Sequence, residues 1–283
     1  MKNIILLTTV ITVCLFSYGQ SPGSLFKKGL KAANNAHYEQ AIQLFTKAID
    51  GKPGMAEAWY NRALSRSHLK QYASAIDDYT KAIALKPAFP VAYLNRGADK
   101  NELGDCAGAV EDYTKAIELR PAYGYAYYNR GIVLFNTQSF EKAMNDFSRA
   151  LELEPALADA WYNRGMTKCK LNDYAGAITD FTKTLQLQPA YQRAYKNRGI
   201  ANAGIGNYVA AMQDYKQSLQ LNAGDCETVK LLAIAGMNAG NGNDTMNDIA
   251  KLNGCAAALL TGDTGSNAKL IKRADTGSVR TKQ

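Results

Sequence analysis

The sequence has few of the residues on which catalysis and metal binding most often depend. Its 283 residues include only two histidines, His37 and His68, and no Cys-x-x-Cys pair accompanies them. Two isolated histidines make a poor zinc site. Neither a glycine-rich phosphate loop nor a Gly-x-Ser-x-Gly nucleophile segment is present. We therefore expect a protein that needs no metal or cofactor and is not an enzyme.

Long basic runs and long apolar runs are also missing. The net charge is +8, and five basic residues against two aspartates place +3 of it in residues 256–283. The remaining charge is spread without a basic stretch, so we expect no nucleic-acid binding. Beyond the first nineteen residues no segment is apolar and long enough to span a bilayer.

Those first nineteen residues have the organisation of an export signal. Lys2 supplies a positive start, residues 4–16 form an apolar run, and the small residues Ser17 and Gly19 precede a cleavage site ahead of Gln20. An uncleaved anchor is the alternative. We expect an exported protein, periplasmic or secreted, with no stable membrane span after removal of the signal.

Four cysteines remain once Cys14 leaves with the signal. Cys226 and Cys255 flank a predicted helical hairpin with helices over 225–238 and 244–252. Because an antiparallel hairpin brings its ends together and an exported protein meets oxidising conditions, we expect a disulfide between these two cysteines. Free thiols at all four positions are the alternative.

A strict period of 34 residues runs through most of the chain. An aromatic residue returns at this interval, at Trp59, Tyr93, Tyr127, Trp161 and Tyr195. With Leu25 one period earlier, six repeats align without a gap: 22–55, 56–89, 90–123, 124–157, 158–191 and 192–225. Each repeat holds two apolar patterns at helical spacing around a short turn. The period therefore predicts six copies of one helical hairpin.

Small and large residues occupy fixed places in each repeat. In the fifth repeat, Gly165 is at the eighth place, Ala177 at the twentieth and Phe181 at the twenty-fourth, and Pro189 follows the second helix. Glycine inside a helix costs about 1 kcal/mol relative to alanine. Its recurrence at the eighth place indicates that the paired helices approach closely.

This pattern resembles the tetratricopeptide repeat family over 204 of the 283 residues. The resemblance implies an all-α protein, a right-handed superhelical α-solenoid of helix-turn-helix repeats that binds a partner in its concave groove. We interpret residues 226–253 as a C-terminal capping helical hairpin. Residues 254–283, rich in Gly, Thr, Ser, Asn and Lys, are expected to be a disordered tail.

The seventh place departs from the family, which favours an apolar residue there. Repeats two to six carry arginine at this place and aspartate at the twenty-third, whereas the first repeat has Lys28 and Leu44. This joint change predicts ion pairs within repeats: Arg62–Asp78, Arg96–Asp112, Arg130–Asp146, Arg164–Asp180 and Arg198–Asp214. Arginines that await an anionic ligand are the alternative.

The resemblance implies that the first helix of each repeat lines the groove. The sixth residue of repeats two to six is asparagine: Asn61, Asn95, Asn129, Asn163 and Asn197. Such amides can satisfy the backbone of an extended peptide, and the row resembles the asparagine ladder of protein O-linked N-acetylglucosamine transferases. Asparagines that bond within their own repeat or to water are the alternative.

Neighbouring places in the fourth and fifth repeats form a candidate apolar patch: Tyr125, Tyr128, Ile132, Phe135, Tyr162 and Met166. An exposed apolar patch marks an interaction site, and ordinary core packing is the alternative. In the sixth repeat, Arg193 and Lys196 are candidates to receive an acidic side chain or a terminal carboxylate.

The sequence as a whole predicts a non-enzymatic, exported scaffold that binds a peptide segment or a partner protein in its concave groove. Two alternatives stay open. The first is a structural subunit of an envelope assembly that self-associates as a homo-oligomer. The second is a glycan-binding module in which Tyr128 and Tyr162 stack on sugars.

Overall fold

The computed structural model describes residues 20–250, and they form fourteen α-helices without a strand. The helices are α1 Pro22–Asn34, α2 Tyr38–Gly51, α3 Ala56–His68, α4 Tyr72–Leu85, α5 Pro90–Glu102, α6 Cys106–Leu119, α7 Gly124–Asn136, α8 Phe140–Leu153, α9 Ala158–Lys170, α10 Tyr174–Leu187, α11 Gln192–Gly204, α12 Tyr208–Leu221, α13 Cys226–Asn238 and α14 Gly242–Ala250. The prediction of an all-α protein is confirmed. The predicted signal and tail lie outside the described residues.

The chain divides into two compact units between Gly104 and Asp105, inside the third repeat. In the first unit, α1 to α5 pack in chain order, each helix against the next. In the second unit, α6 to α14 do the same. First helices of successive repeats also touch, α1 with α3 and α3 with α5 in one unit, and α7, α9, α11 and α13 in series in the other. The first helices therefore lie side by side within each unit, as in a tetratricopeptide solenoid.

The two helices of a repeat meet where a glycine faces an aromatic ring. A Cβ atom added to Gly165 would lie 2.8 Å from Cε1 of the fully buried Phe181. The equivalent distance is 2.8 Å between Gly131 and Phe147, and 2.5 Å between Gly199 and Tyr215. At Gly131, Gly165 and Gly199 a Cβ atom would lie too close to the ring, which explains the glycine at these positions despite its low helix propensity.

The hairpin α13–α14 continues the repeat frame beyond residue 225. Ala233, Thr245 and Ile249 stand at the eighth, twentieth and twenty-fourth places of a seventh repeat, and all three are buried. Ile249 shares a core cluster with Leu232 and Tyr215. An aliphatic residue thus occupies the place of the usual aromatic ring. The packing of the repeat therefore continues in α13–α14 although the aromatic residues of the sequence pattern are missing there.

The cysteines differ in state. Cys226 at the start of α13 is disulfide-bonded, whereas Cys106 and Cys169 are free thiols. Cys255 lies outside the described residues, so the pairing of Cys226 with Cys255 stays a prediction. Burial raises the pKa of the Cys169 thiol to about 11. Because the thiolate is the reactive form, Cys169 is a poor nucleophile at neutral pH.

Candidate functional site

Four seventh-place arginines pair with the twenty-third-place aspartates of their own repeats. The closest nitrogen–oxygen distances are 2.7–2.8 Å, for Arg62–Asp78, Arg130–Asp146, Arg164–Asp180 and Arg198–Asp214. In Arg62, Nε and Nη2 donate separately to the two carboxylate oxygens of Asp78, each at 2.8 Å. Arg96 and Asp112 belong to different compact units, and their pairing stays a prediction.

The same arginines also bond to the preceding repeat. Nη1 of Arg62 donates to Oγ1 of Thr46 at 3.0 Å, and the Thr46 hydroxyl donates in turn to the Ile42 carbonyl at 2.8 Å. Equivalent bonds join Arg96 to Thr80, Arg130 to Thr114, Arg164 to Ser148 and Arg198 to Thr182. Sequence reasoning missed these hydroxyls, although a Ser or Thr at the twenty-fifth place of repeats one to five was a readable signal.

The faces of these guanidinium groups are covered as well. The Arg164 guanidinium carbon lies 4.7 Å from the ring centroid of Trp161, and that of Arg62 lies 4.7 Å from Trp59. The fourth-place aromatic residue thus stacks on the seventh-place arginine. With both the edges and the faces of the guanidinium in use, these arginines hold repeats together, and the geometry does not favour the alternative of an anionic ligand.

The asparagine row on the first helices is mostly engaged within the protein. Nδ2 of Asn95 donates to the Tyr60 hydroxyl at 3.0 Å. Nδ2 of Asn163 and of Asn197 donate in the same way to Tyr128 and Tyr162, at 3.3 and 2.8 Å. Asn61 instead donates to the carbonyl of Glu57 in its own helix at 2.7 Å. These four asparagines are therefore not the free amides that the sequence suggested, because their NH₂ groups bond to the preceding repeat or their own helix.

Asn129 is different. Among residues 20–250 no hydrogen bond involves its side-chain amide, which is half-buried on α7. In the sequence, a tyrosine stands 35 residues before Asn95, Asn163 and Asn197, whereas Leu94 stands 35 residues before Asn129. Asn129 therefore keeps both a donor and an acceptor for a ligand.

The predicted apolar patch is less exposed than expected. Tyr125 is 50% exposed, whereas Tyr128, Ile132, Phe135, Tyr162 and Met166 are half-buried. The ring of Tyr162 stacks on Tyr191 with centroids 5.0 Å apart and also contacts Phe181 at 5.7 Å. Burial, helped by the charge of Asp159, raises the pKa of Tyr128 to about 12. Tyr128, Phe135 and Tyr162 thus each pack against an aromatic ring of their own repeat, which leaves little ring surface for stacking on a sugar.

The two candidate cations of the sixth repeat also differ from each other. Nζ of Lys196 lies 3.2 Å from Asp225 Oδ2 and 2.5 Å from Glu227 Oε2. Burial by itself would lower the pKa of Lys196, but bonds to Glu227 and Asp225 outweigh it and raise that pKa. Lys196 thus ties α11 to α13 instead of awaiting a carboxylate, as the sequence suggested. Arg193 is exposed, and its guanidinium has no ion pair in the described part of the chain.

The described part of the chain has neither a metal-binding cluster nor a membrane-spanning helix. Between residues 20 and 250, no group of three His, Cys, Asp or Glu side chains is arranged to hold a metal ion. Over the same residues, no helix has the length and apolar character needed to cross a bilayer.

Helical hairpins in a 34-residue frame, packed in chain order, define a helical-repeat protein. A family model described as tetratricopeptide repeat matches residues 56–89, 124–157 and 158–191, and a second, described as TPR repeat, matches residues 100–138. The chain is a member of the tetratricopeptide repeat family, as its resemblance predicted.

Similarity to individual proteins is lower. The uncharacterized protein MJ0572 of Methanocaldococcus jannaschii is 40% identical over 40 residues, which cover 14% of this chain and 46% of the relative. The chain thus spans about half of that relative's length. The crystal structure of the C-terminal part of a TPR repeat-containing protein from Cytophaga hutchinsonii is 18% identical with a TM-score of 0.68, covering 90% of this chain and 99% of that one.

The structure of YrrB is also similar, at 23% identity and a TM-score of 0.60, covering 65% of this chain and 95% of that one. YrrB is described as a TPR protein with an unusual peptide-binding site. At these identities the two structures show the shared fold alone.

Proposed function

We propose that this protein is a non-enzymatic scaffold that binds an extended peptide segment of a partner protein on the first helices of its second compact unit. Tetratricopeptide repeats are generally non-catalytic binding modules, and YrrB is described with a peptide-binding site. The proposal places the centre of binding at Tyr125 and Asn129 on α7.

The observation that carries this proposal is an unpaired amide beside an exposed ring. Tyr125 and Asn129 are four residues apart on α7, so their side chains are neighbours on one face of the helix. The Asn129 amide can accept from a peptide N–H and donate to a peptide C=O, which recognises backbone without reading side chains. The half-exposed Tyr125 ring offers apolar contact to a neighbouring peptide side chain.

Asn163 extends this surface along the neighbouring helix α9. Its Nδ2 is used by Tyr128, but its Oδ1 accepts no hydrogen bond among the described residues. A second peptide N–H can therefore be bound one repeat further along. The asparagine row ends at Asn197 on α11, and Arg193 is exposed four residues earlier on the same helix. Its positive charge suits an acidic residue in the peptide.

The test uses short peptides selected from a random display library on the protein comprising residues 20–283. Asn129→Ala and Tyr125→Ala should each lower the affinity for the selected peptides about tenfold. This is the loss expected from removing a buried hydrogen bond or an aromatic contact. Asn145→Ala is the matched control, because Asn145 is an exposed asparagine on the second helix α8. Affinity is measured by fluorescence anisotropy.

N-methylation of single peptide bonds distinguishes backbone recognition from side-chain recognition. Methylation at one position should abolish the difference in affinity between the wild-type protein and Asn129→Ala. It removes the peptide N–H that donates to the Asn129 amide oxygen. Selected peptides that bind Asn129→Ala as tightly as the wild-type protein would contradict the proposed role of this residue.

We further propose that the protein acts after export, on the basis of its N-terminal sequence pattern. Mass spectrometry of the protein from its native cell should then find Gln20 as the first residue. An intact N-terminus at Met1 would contradict cleavage at this position.

Light scattering across concentrations tests the alternative of a self-associating subunit, since that alternative requires a defined oligomer without any partner.

A further inference from the structure

The first repeat lacks the arginine that joins each later repeat to the helix before it. In the second repeat, Arg62 bonds both to Asp78 and to Thr46 of the preceding helix. In the first repeat, Lys28 and Leu44 replace the arginine and the aspartate. Lys28 is exposed and forms no ion pair or hydrogen bond with any described residue.

Lys28 lines a groove formed by α1, α2 and the residues next to them, which we call the N-terminal groove. Its volume is about 700 Å³. The lining includes the apolar side chains of Leu25, Ala32 and Leu44 and the ammonium-bearing side chains of Lys28, Lys31 and Lys47. No carboxylate lines the groove in the described part of the chain, and none of its three lysines has an ion pair there. The groove therefore combines an apolar floor with uncompensated positive charge.

The later repeats show what kind of element occupies the equivalent surface. The second helix of the preceding repeat packs against each first helix, as α2 does against α3 and α8 against α9. Its twenty-fifth residue meets the seventh-place cation, since Thr46 accepts from Arg62 and Ser148 accepts from Arg164. Lys28 is at the seventh place of α1, so the surface around it has the form of a helix-binding surface.

We propose that the N-terminal groove binds an amphipathic helix of a partner protein whose apolar face is bordered by carboxylates. The apolar floor matches the apolar face of such a helix. The three lysines match its carboxylates, because unpaired ammonium groups beside a covered apolar surface lose hydration unless an opposite charge replaces it. A carboxylate at the position equivalent to Thr46 would lie opposite Lys28.

This surface is independent of the Tyr125–Asn129 face. It lies on the first repeat, in the other compact unit, and it selects charge, whereas the Asn129 amide selects peptide backbone. Asn129→Ala should therefore leave binding to the groove unchanged, and failure of one proposal does not decide the other.

The probe is a hydrocarbon-stapled peptide with the sequence of α6, residues 106–119, in which serine replaces Cys106. Two versions differ at the twenty-fifth place, Thr114→Glu and Thr114→Lys, and circular dichroism verifies that both are helical. The glutamate version should bind about tenfold tighter than the lysine version in low salt, and the difference should shrink as salt screens the charges. Binding is measured by fluorescence anisotropy on the protein comprising residues 20–283.

Charge reversal locates the interaction. Lys28→Glu should reverse the preference, so that the lysine peptide becomes the tighter one. Lys81→Glu is the matched control, since Lys81 is an exposed lysine on α4 outside the groove and the change in net charge is the same. It should preserve the preference for the glutamate peptide.

Three results would overturn the proposal: no binding of the helical glutamate peptide, equal binding of the two peptides, or a preference that Lys28→Glu leaves unreversed. A dimer of the protein alone that Lys28→Glu dissociates would also overturn it, because the groove would then belong to a second copy of the chain.

Discussion

Replacing Asp180 by asparagine should destabilise the protein far more than removing an exposed carboxylate. The Asp180 side chain is 1% exposed and accepts from Arg164 Nε and Nη2, each at 2.8 Å. Lys168 Nζ lies 2.9 Å from Asp180 Oδ2. Asparagine keeps the shape but is neutral, and one of its two terminal groups is a donor that faces another donor. Asp180→Asn therefore leaves two cations without their counter-charge.

The expected loss follows from how much water those cations can regain. Breaking a buried ion pair by removing one partner costs about 3–5 kcal/mol. The side chains of Arg164 and Lys168 are each 17% exposed, so partial hydration offsets some of this. We expect a loss of about 2–3 kcal/mol in the free energy of unfolding. The exposed pair Arg149–Glu152, with 48% and 62% of its side chains accessible, contributes little, because water screens both charges.

The assay is urea denaturation followed by far-ultraviolet circular dichroism, on the wild-type protein, Asp180→Asn and the control Glu152→Gln. A triple variant, Arg164→Met with Lys168→Met and Asp180→Leu, separates the value of these ion pairs from the cost of breaking them. Apolar replacement of a whole ion pair is often neutral or stabilising, so this variant should recover most of the loss. Because stacked repeats are stabilised by their neighbours, weakening one repeat lowers the stability of the adjacent ones too.

Two results would refute this reasoning. If Asp180→Asn and Glu152→Gln were equally stable, the burial of Asp180 would not matter to the energy of the pair. If the triple variant, which contains no unpaired cation at this site, were no more stable than Asp180→Asn, the loss would come from packing around residue 180 and not from unpaired charge.

Two further predictions concern a buried carboxylate and a close helix contact. Burial raises the pKa of the Asp99 carboxyl to about 6, although the Ser67 hydroxyl donates a hydrogen bond to it. The folded protein therefore binds the carboxyl proton more tightly than the unfolded chain does. As a result, the free energy of unfolding falls as the pH rises from about 4 to about 6. Asp99→Asn should therefore add about 1–2 kcal/mol in urea denaturation near pH 7.5 and nothing near pH 4, and an equal gain at both pH values would contradict this sign. Gly165→Ala should destabilise by about 1–2 kcal/mol despite its better helix propensity, whereas Gly54→Ala, with open space around it, should be close to neutral in thermal unfolding. A stabilised Gly165→Ala would show that the Phe181 ring moves aside freely.

The hairpin repeat could be read from the sequence because one period governs helix length, turn and core together. The turn illustrates this: a residue with positive φ returns every 34 residues, at Ala36, Lys70 and Gly104 in one unit and at Gln138, Asn172, Gly206 and Gly240 in the other. The last of these belongs to α13–α14, where sequence reasoning saw no further repeat. The aromatic residues that mark the other repeats are absent from α13–α14. The turn at Gly240 and the buried Ile249 nevertheless stand at the same places of the 34-residue repeat as their counterparts.

The candidate site could be read only in part. Its residues stand at the places that the resemblance implied, but their roles depend on neighbours. Asn163 and Asn129 occupy the same place in consecutive repeats, yet Asn163 bonds to Tyr128 and Asn129 has no such partner among the described residues. Likewise, Lys196 stands at the expected place, but it is already paired with Asp225 and Glu227.

By itself, the amino-acid sequence determined the repeating hairpin, because helix periodicity, small-to-large contacts and turns are properties of residues close together in one repeat. Only the tertiary structure decided which polar groups are already satisfied. Packing the repeats brings side chains 16 or 35 residues apart within hydrogen-bonding distance, and each group then bonds to whatever its neighbour offers. Asn129 and Lys28 bond to no described residue, so each leaves a polar group available to a partner.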